Sequence, residues 1–278
     1  MARTNIEERT AKPESSGLMT LRVLRREKIS PSFARITLGG GDIERFTPLG
    51  FDQWFRIFIP VTDENSLTRL PQKLNTLSYA KFLTIAKTRR PVLRNYTVRA
   101  FRAEGPSGPE LDVDFVLHGD AASGTAGPAA SWAATCSSGD AVAILDEGVG
   151  FLRPDGTSSV LLVADETALP AVAGILASLP RDVTGLALVE IPESADAQSI
   201  AVPPGVELRW VVRQDAHATP GRAVVKAASA EPAPGPDCFT WASGESSLAT
   251  DMRRHWIASG VPKQHIAFSG YWKAGKAH

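Results

Sequence analysis

The chain has 278 residues, enough to bury two cores of ordinary size without disulfides or structural metals. Lysine and arginine together number 30, and aspartate and glutamate also number 30, so no overall field favours nucleic acid or an anionic membrane as a partner. The two cysteines, Cys136 and Cys238, form no CxxC pair, which argues against an iron–sulfur cluster, a zinc ribbon or a disulfide framework and favours a reducing cytoplasm.

The first residues, 1–18, are polar and lack the apolar segment of a secretory signal, so we expect a flexible tail there. No apolar run in the chain approaches the length of a membrane span. Residues 19–153 then alternate short apolar stretches, rich in β-branched and aromatic residues, with turn residues. This pattern predicts an antiparallel β-barrel.

One helix is predicted inside the barrel, from about 129 to 136, with Pro128 in its first turn, where a missing N–H costs nothing. The stretch 61–90 is long, cationic and poorly patterned, and we predict a loop there. A turn-rich segment at 153–158 marks the expected domain boundary.

In residues 154–278 the pattern changes, and predicted strands alternate with predicted helices. The predicted strands are 160–164, 186–191, 206–212, 238–241 and 265–269, and the predicted helices include one with Leu169, Val172, Leu176 and Leu179 on one face, 220–229 and 246–259. Such alternation predicts an α/β domain with a parallel sheet covered on both faces.

Four consecutive residues, Arg94-Asn95-Tyr96-Thr97, place a cation, an aromatic ring and a hydroxyl on one predicted strand. An arginine can bind a phosphate oxygen, a tyrosine can cover an isoalloxazine ring, and a threonine can meet a ring nitrogen. The stretch Gly127-Pro128-Ala129 then predicts a helix start able to receive a second phosphate. The combination predicts a flavin site, although a four-residue motif alone also recurs in ordinary strands.

The order of the motifs RNYTVR (94–99), DFVLHGD (114–120), GPAASWA (127–133) and GD (139–140) closely resembles the FAD-binding domain of the siderophore-interacting protein family, distant relatives of ferredoxin reductases. In the second half, ADETALPA (164–171), WASGE (241–245) and FSGYWKAG (268–275) are similar to that family's first strand-to-helix turn, its nucleotide-side loop and its C-terminal GYWxxG element. The resemblance extends over about residues 20–276.

The resemblance implies an FAD-binding barrel domain at 19–153 and an NAD(P)H-binding α/β domain at 154–278. The residues expected to bind FAD are Arg94, Asn95, Tyr96, Thr97, His118, Gly127, Ala129, Ala130, Ser131, Asp165, Thr167, Ala168 and Trp272. Those expected to contact the nicotinamide nucleotide are Glu166, Ser243, Gly244, Glu245 and Ser246. Cations expected to meet an anionic ferric siderophore are Arg56, Lys273 and Lys276.

Several positions depart from the family pattern or have a second interpretation. The family's usual serine is Ala130 here, and its usual histidine and lysine are Trp54 and Arg56. Thr167 and Ser246 also sit where helix caps belong. No GxGxxG follows the first strand of the α/β half, so the standard dinucleotide fingerprint is lacking, and the histidines have no metal-ligand spacing.

The expected function is a cytoplasmic flavoprotein reductase that passes electrons from NADPH or NADH through FAD to ferric siderophores and releases Fe(II). Because the cofactor carries the chemistry, no catalytic acid, base or nucleophile is expected from the protein. Two alternatives stay open: a flavin reductase with ferredoxin or another protein partner, and a non-catalytic siderophore-binding protein. For NADPH, Arg209, Arg213 and Arg222 are candidate receptors of the 2′-phosphate.

Overall fold

A computed structural model describes residues 10–13, 17–61, 64–73, 75–86, 88–119, 126–215 and 218–275. The chain divides into two compact units. The first, called the barrel unit, comprises Lys12–Leu49 and Gln53–Gly148, and the second, called the sheet unit, comprises Met1–Ala11, Gly50–Asp52 and Val149–His278. Within the sheet unit, Ala11 exchanges two backbone hydrogen bonds with Val149, each 2.9 Å long. Leu18 N donates to the Gln72 carbonyl at 3.0 Å, so both Ala11 and Leu18 of the predicted tail are hydrogen-bonded.

The barrel unit is built on seven antiparallel strands. They are β1 Met19–Ser30, β2 Phe33–Gly39, β3 Trp54–Ile59, β4 Val92–Thr97, β5 Ala100–Gly105, β6 Gly108–Val116 and β7 Ala141–Gly148, in the order β4-β3-β7-β1-β2-β6-β5. Laid flat, seven strands would hold the two edge strands about 29 Å apart. The three peptide units from Thr97 to Ala100, which join those edges, can span only about 11 Å. The sheet must therefore curl until its edges face each other, and the predicted antiparallel barrel is confirmed.

Alternation along the strands fills the barrel with aliphatic side chains. Leu21, Ile36, Ile57, Val113 and Ile144, one from each of five strands, are completely buried in one cluster. The predicted helix is present as α2, Pro128–Thr135.

The prediction of a loop at 61–90 is wrong in part, because that stretch contains the 3₁₀ helix Glu64–Arg69 and the helix α1, Thr76–Leu83. Asn75 and Ser78 form a reciprocal cap at the start of α1, with hydrogen bonds of 2.9 and 2.8 Å. Only Phe82 of this helix is buried. A single apolar anchor in an eight-residue helix leaves no periodic pattern that sequence reasoning could detect.

Three buried carboxylates alternate along one face of β6 and are held by arginines. Glu110 pairs with Arg25 and Arg102, Asp112 with Arg102, and Asp114 with Arg35 and Arg99. The hydrogen bond from Arg25 lowers the pKa of Glu110. At Asp112 burial raises the pKa, but the bonds from Arg102 and Thr37 outweigh burial and leave the pKa below its usual value.

The sheet unit contains five strands, β8 Ser159–Ala164, β9 Thr184–Ile191, β10 Gly205–Val212, β11 Cys238–Glu245 and β12 Ile266–Trp272, in the order β10-β9-β8-β11-β12. Every pairing is parallel, which confirms the predicted sheet. The helices are α3 Leu169–Ser178, α4 Arg222–Ser229 and α5 Ser246–Ala258. No helix of the described ranges is long and apolar enough to cross a membrane.

The strand order reverses between β8 and β11, because the chain first builds outward from β8 to β10 and then returns to the other side of β8. In open α/β sheets, ligands bind at such a switch point, outside the carboxyl ends of the strands. The turn that follows β8 and the junction of β11 with α5 are therefore the candidate nucleotide site of this unit.

Candidate flavin and nucleotide sites

In the barrel unit, Arg94 and Tyr96 share one face of β4. Arg94 lies opposite Ile57, and Tyr96 lies opposite Phe55, in the antiparallel pairing with β3. Arg94 is half-buried, and its guanidinium donates to the Leu93 carbonyl at 2.8 Å. The predicted motif therefore presents its cation and its aromatic ring together.

The other two motif residues differ in placement. Asn95 is exposed, whereas Thr97 is buried at the end of the strand. Strand alternation directs their side chains to the face opposite that of Tyr96. Thr97 could therefore contact a flavin only around the end of β4, through its hydroxyl or its backbone. That contact remains a prediction.

Tyr96 is fixed by a row of aromatic rings. Its ring centroid lies 4.1 Å from that of Phe115, and Phe115 lies 5.5 Å from Trp132 of α2. Burial raises the pKa of the Tyr96 phenol above its ordinary value, so this group is neutral at physiological pH. Trp132 packs against the barrel core, as an aromatic anchor should. The row packs Tyr96 against the barrel core.

The start of α2 has the features of an anion receptor. Gly127 provides no side-chain cap, and Pro128 has no N–H to satisfy. The first intrahelical bond runs from Ser131 N to the Gly127 carbonyl at 2.9 Å. The N–H groups of Ala129 and Ala130 precede that bond and have no partner inside the helix, so they can donate to a phosphate. The missing serine hydroxyl at position 130 does not remove this backbone donation.

His118 lies beside this helix start. A methyl group on Gly127 would come 3.6 Å from its Nε2, and the side chain is exposed. α2 itself packs beside β2, β4 and β6. The structure thus brings together Arg94, Tyr96, His118 and the first turn of α2 in one unit. A cation, a ring platform and uncapped backbone donors are the groups that a flavin dinucleotide needs, so the residues fit FAD.

In the sheet unit, Asp165 ties the turn after β8 to the end of β11. Its Oδ1 accepts from the backbone N–H of Thr167 at 2.9 Å and from the Thr167 hydroxyl at 2.5 Å, and its Oδ2 accepts from Glu245 N at 2.6 Å. Asp165 is fully buried, and burial raises its pKa. Gly244 is required beside it, because a Cβ there would lie 2.5 Å from the carboxylate and the φ angle is +140°.

Glu166 is also turned inward. Its carboxylate accepts from Arg213 Nη2 at 2.6 Å, and Arg213 Nε donates to Glu190 at 2.8 Å. Burial and then the charge of Asp165 raise the pKa of Glu166 to about 7, against the opposing effect of Arg213. The Glu166 side chain, predicted to contact the nucleotide, is therefore committed to an internal ion pair, as is Arg213.

The junction of β11 with α5 is bonded to the C-terminal strand and the residues after it. Glu245 accepts from Ser247 N and from Ala274 N, the latter at 3.1 Å, and Ser246 Oγ donates to the Trp272 carbonyl at 2.6 Å. Ser246 therefore begins α5 while its side chain holds β12. Ser243 and Glu245 are buried, so a nucleotide contact predicted for them falls on their backbone rather than on their side chains.

Trp272 is half-buried at the end of β12, and its indole N–H has no partner among the described residues. Ala168, predicted to contact FAD, is completely buried at the end of the 3₁₀ turn Glu166–Ala168. A buried methyl group cannot reach a ligand, so only its backbone could make the predicted contact.

The predicted substrate cations differ in exposure. Arg56 Nε lies 2.8 Å from Glu147 Oε1, so its charge is balanced inside the barrel unit. Lys273 is exposed in the sheet unit, and Lys276 lies outside the described residues. The partners Glu147 and Glu190 were not predicted, because nothing in a single glutamate reveals which cation it will meet in the fold.

Two family models match successive parts of the chain. The siderophore-interacting FAD-binding domain matches residues 22–150, and the siderophore-interacting protein model matches residues 157–275. Together they cover most of the chain.

Several relatives and a solved structure are similar to this chain over nearly its full length. An uncharacterized protein of Mycobacterium tuberculosis is 30% identical over 275 residues, which are 93% of this chain and 91% of the relative. The ferric vibriobactin reductase ViuB of Vibrio cholerae is 27% identical, with 91% and 88% covered, and the NADPH-dependent ferric-chelate reductase of Escherichia coli is 26% identical, with 91% and 92% covered. A siderophore utilization protein from T. fusca superimposes with a TM-score of 0.75 at 28% identity, covering 96% of this chain and 97% of that one.

Proposed function

Because the chain belongs to the siderophore-interacting protein family, we propose that it is an FAD-dependent reductase that transfers electrons from NAD(P)H to ferric iron held by a siderophore. The observation that carries the proposal is the face of β4 that presents Arg94 and Tyr96 in the same unit as the uncapped start of α2. Ferric-chelate reductases among the relatives support an oxidoreductase, and the cytoplasm, where reduced nicotinamide nucleotides are made, is the proposed location.

The barrel unit would hold FAD through three kinds of group. Arg94 would bind one phosphate, the N–H groups of Ala129 and Ala130 would bind the other, and Tyr96 would lie against the ring system. When bound, FAD supplies the redox chemistry, because it accepts a hydride and returns the two electrons singly to Fe(III), which can take only one. The aromatic row of Tyr96, Phe115 and Trp132 would support the ring platform from the barrel side.

The sheet unit would bind the nicotinamide nucleotide at the switch point. Asp165 binds the end of β11 to the turn after β8, which fixes the position of the Glu245 backbone beside Gly244. The side chains of Asp165, Ser243 and Glu245 are buried there, so backbone groups would position the nicotinamide nucleotide. Lys273, an exposed cation at the end of this unit, is the proposed contact for an anionic ferric chelate.

The proposal is tested with purified protein reconstituted with FAD. NADH or NADPH should bleach the visible flavin band anaerobically, and a ferric siderophore should restore it. A protein that binds ferric siderophore but never bleaches would instead be a non-catalytic carrier. Restoration by oxidised ferredoxin but not by ferric siderophore would identify a protein-partner reductase. Protein that cannot bind FAD at all would contradict the proposal.

A further inference from the structure

The carboxyl ends of three neighbouring strands meet around one buried arginine. Arg213 follows β10, Glu166 follows β8, and Glu190 lies near the end of β9. The side chains of Arg213, Glu166 and Glu190 are 8%, 6% and 0% exposed. The guanidinium bonds both carboxylates, at 2.6 and 2.8 Å. This cluster lies at the carboxyl ends of the strands, where an α/β unit binds a dinucleotide.

Glu190 also occupies the start of α4. Its second carboxylate oxygen accepts from Val224 N at 3.0 Å, and the helix, which begins at Arg222 after Gly221, has no side-chain cap of its own. An arginine and a helix N-terminus are the two groups that proteins most readily offer to a phosphate. Here the buried carboxylate of Glu190 accepts hydrogen bonds from both Arg213 and the first turn of α4.

The difference between the two donors is one phosphate. NADPH carries a 2′-phosphate on its adenosine ribose where NADH has a hydroxyl, and an acidic residue near the end of the second strand favours NADH, whereas a nearby arginine favours NADPH. Arg213 cannot turn toward a 2′-phosphate without leaving Glu190 and Glu166 buried and unpaired, which is costly. Its positive charge is therefore unavailable to the ligand.

Resting on the proposed function, we propose that this chain selects NADH over NADPH, and that Glu190 is the residue that enforces the selection by occupying Arg213 and the first turn of α4. A second cation of β10, Arg209, is also paired, with Glu207 at 3.0 Å and with Glu231. Arg222 is exposed at the first residue of α4, so the test includes it.

The experiment compares both donors and their adenosine fragments. The ratio of kcat/KM for NADH to that for NADPH is measured with the FAD-loaded protein, and binding of ADP and of 2′,5′-ADP is measured by calorimetry, which needs no turnover. The wild type should favour NADH by about tenfold or more, because Glu166 and Glu190 hold Arg213, the cation after β10, away from a 2′-phosphate. It should also bind ADP at least as tightly as 2′,5′-ADP.

The variant Glu190→Gln should move the donor ratio toward NADPH by about tenfold, since it frees one charge-assisted bond of Arg213. The matched control Glu64→Gln, a change of the same kind at the exposed ion pair with Arg22 in the barrel unit, should leave the ratio unchanged. If Glu190→Gln does not fold, the wild-type donor ratio and the fragment affinities decide the question.

A wild type that uses NADPH as well as or better than NADH overturns the inference and leaves the proposed function intact. Loss of such an NADPH preference in Arg222→Met would identify Arg222 as the phosphate receptor, which also overturns it. A protein that is bleached by neither donor contradicts the donor part of the proposed function. In that case tighter binding of 2′,5′-ADP than of ADP, or no binding of either, overturns the inference as well, and a preference for ADP supports it.

Discussion

Removal of the Asp165 carboxylate should loosen the nucleotide site more than any other single change at the switch point. Asp165→Ala leaves the half-buried N–H group of Thr167 and the buried N–H group of Glu245 without an acceptor. Each unsatisfied group costs about 1–3 kcal/mol, so the free energy of unfolding should fall by about 2–6 kcal/mol. Asp165→Asn keeps the shape and one carbonyl oxygen, and it removes a charge whose burial is unfavourable, so its cost should be only about 1–3 kcal/mol.

The assay is urea unfolding of the FAD-loaded protein followed by circular dichroism, together with the KM for the nicotinamide donor. Asp251→Asn is the control, because Asp251 forms an exposed pair with Arg254 at 3.6 Å and its loss should change stability by no more than about 0.5 kcal/mol. The KM should rise in both Asp165 variants and stay constant in the control. An Asp165→Ala protein as stable as the wild type, or an asparagine variant less stable than the alanine variant, would refute the reasoning.

Three further predictions concern single groups. Arg94→Met should weaken FAD binding by about 10- to 100-fold, the value of a charge-assisted bond, whereas Arg89→Met at an exposed site should not, as measured by flavin titration of the apoprotein. The pKa of Glu166 is raised from 4.5 to about 7, so between these pH values the folded protein retains a proton that the unfolded chain has lost. The free energy of unfolding should therefore fall as pH rises from 4.5 to about 7. In a pH series of urea titrations, Glu166→Gln should make the free energy of unfolding depend less on pH over that range. Asp112→Ala should lower the free energy of unfolding by about 2–3 kcal/mol, less than the loss of a fully buried pair, because Arg102 is 36% exposed. Because the pKa of Asp112 is lowered in the folded protein, its ion pair should stabilise the fold at neutral pH and stop doing so below about pH 4. Urea titrations measure both effects.

The sequence was a good guide to the architecture because periodicity records which face of an element is buried. The five parallel strands of the sheet unit and the helices α2, α4 and α5 were all predicted within a few residues. α1 was not, since one buried phenylalanine gives no period. Helix capping by Asn75 and Ser78 was the one local signal available in that stretch.

The candidate site was less predictable at the level of single side chains. The motif around Arg94 identified a strand face correctly, because alternation alone places Arg94 and Tyr96 together. Residues 165–167 follow the carboxyl end of β8, as predicted, but the side chains of Glu166 and Glu190 both pair with Arg213. Those three residues are separated by more than twenty positions, so only the folded sheet reveals that they meet.

The stoichiometry of iron reduction tests the central claim most directly. FAD-loaded protein is reduced anaerobically with one equivalent of NADH, excess donor is removed, and a ferric siderophore is added with a chelator that reports Fe(II). Because a hydride carries two electrons and each iron accepts one, the account predicts two ferrous ions per flavin together with full recovery of the oxidised flavin spectrum. A flavin that stays reduced in the presence of ferric siderophore, with no ferrous iron formed, would contradict it.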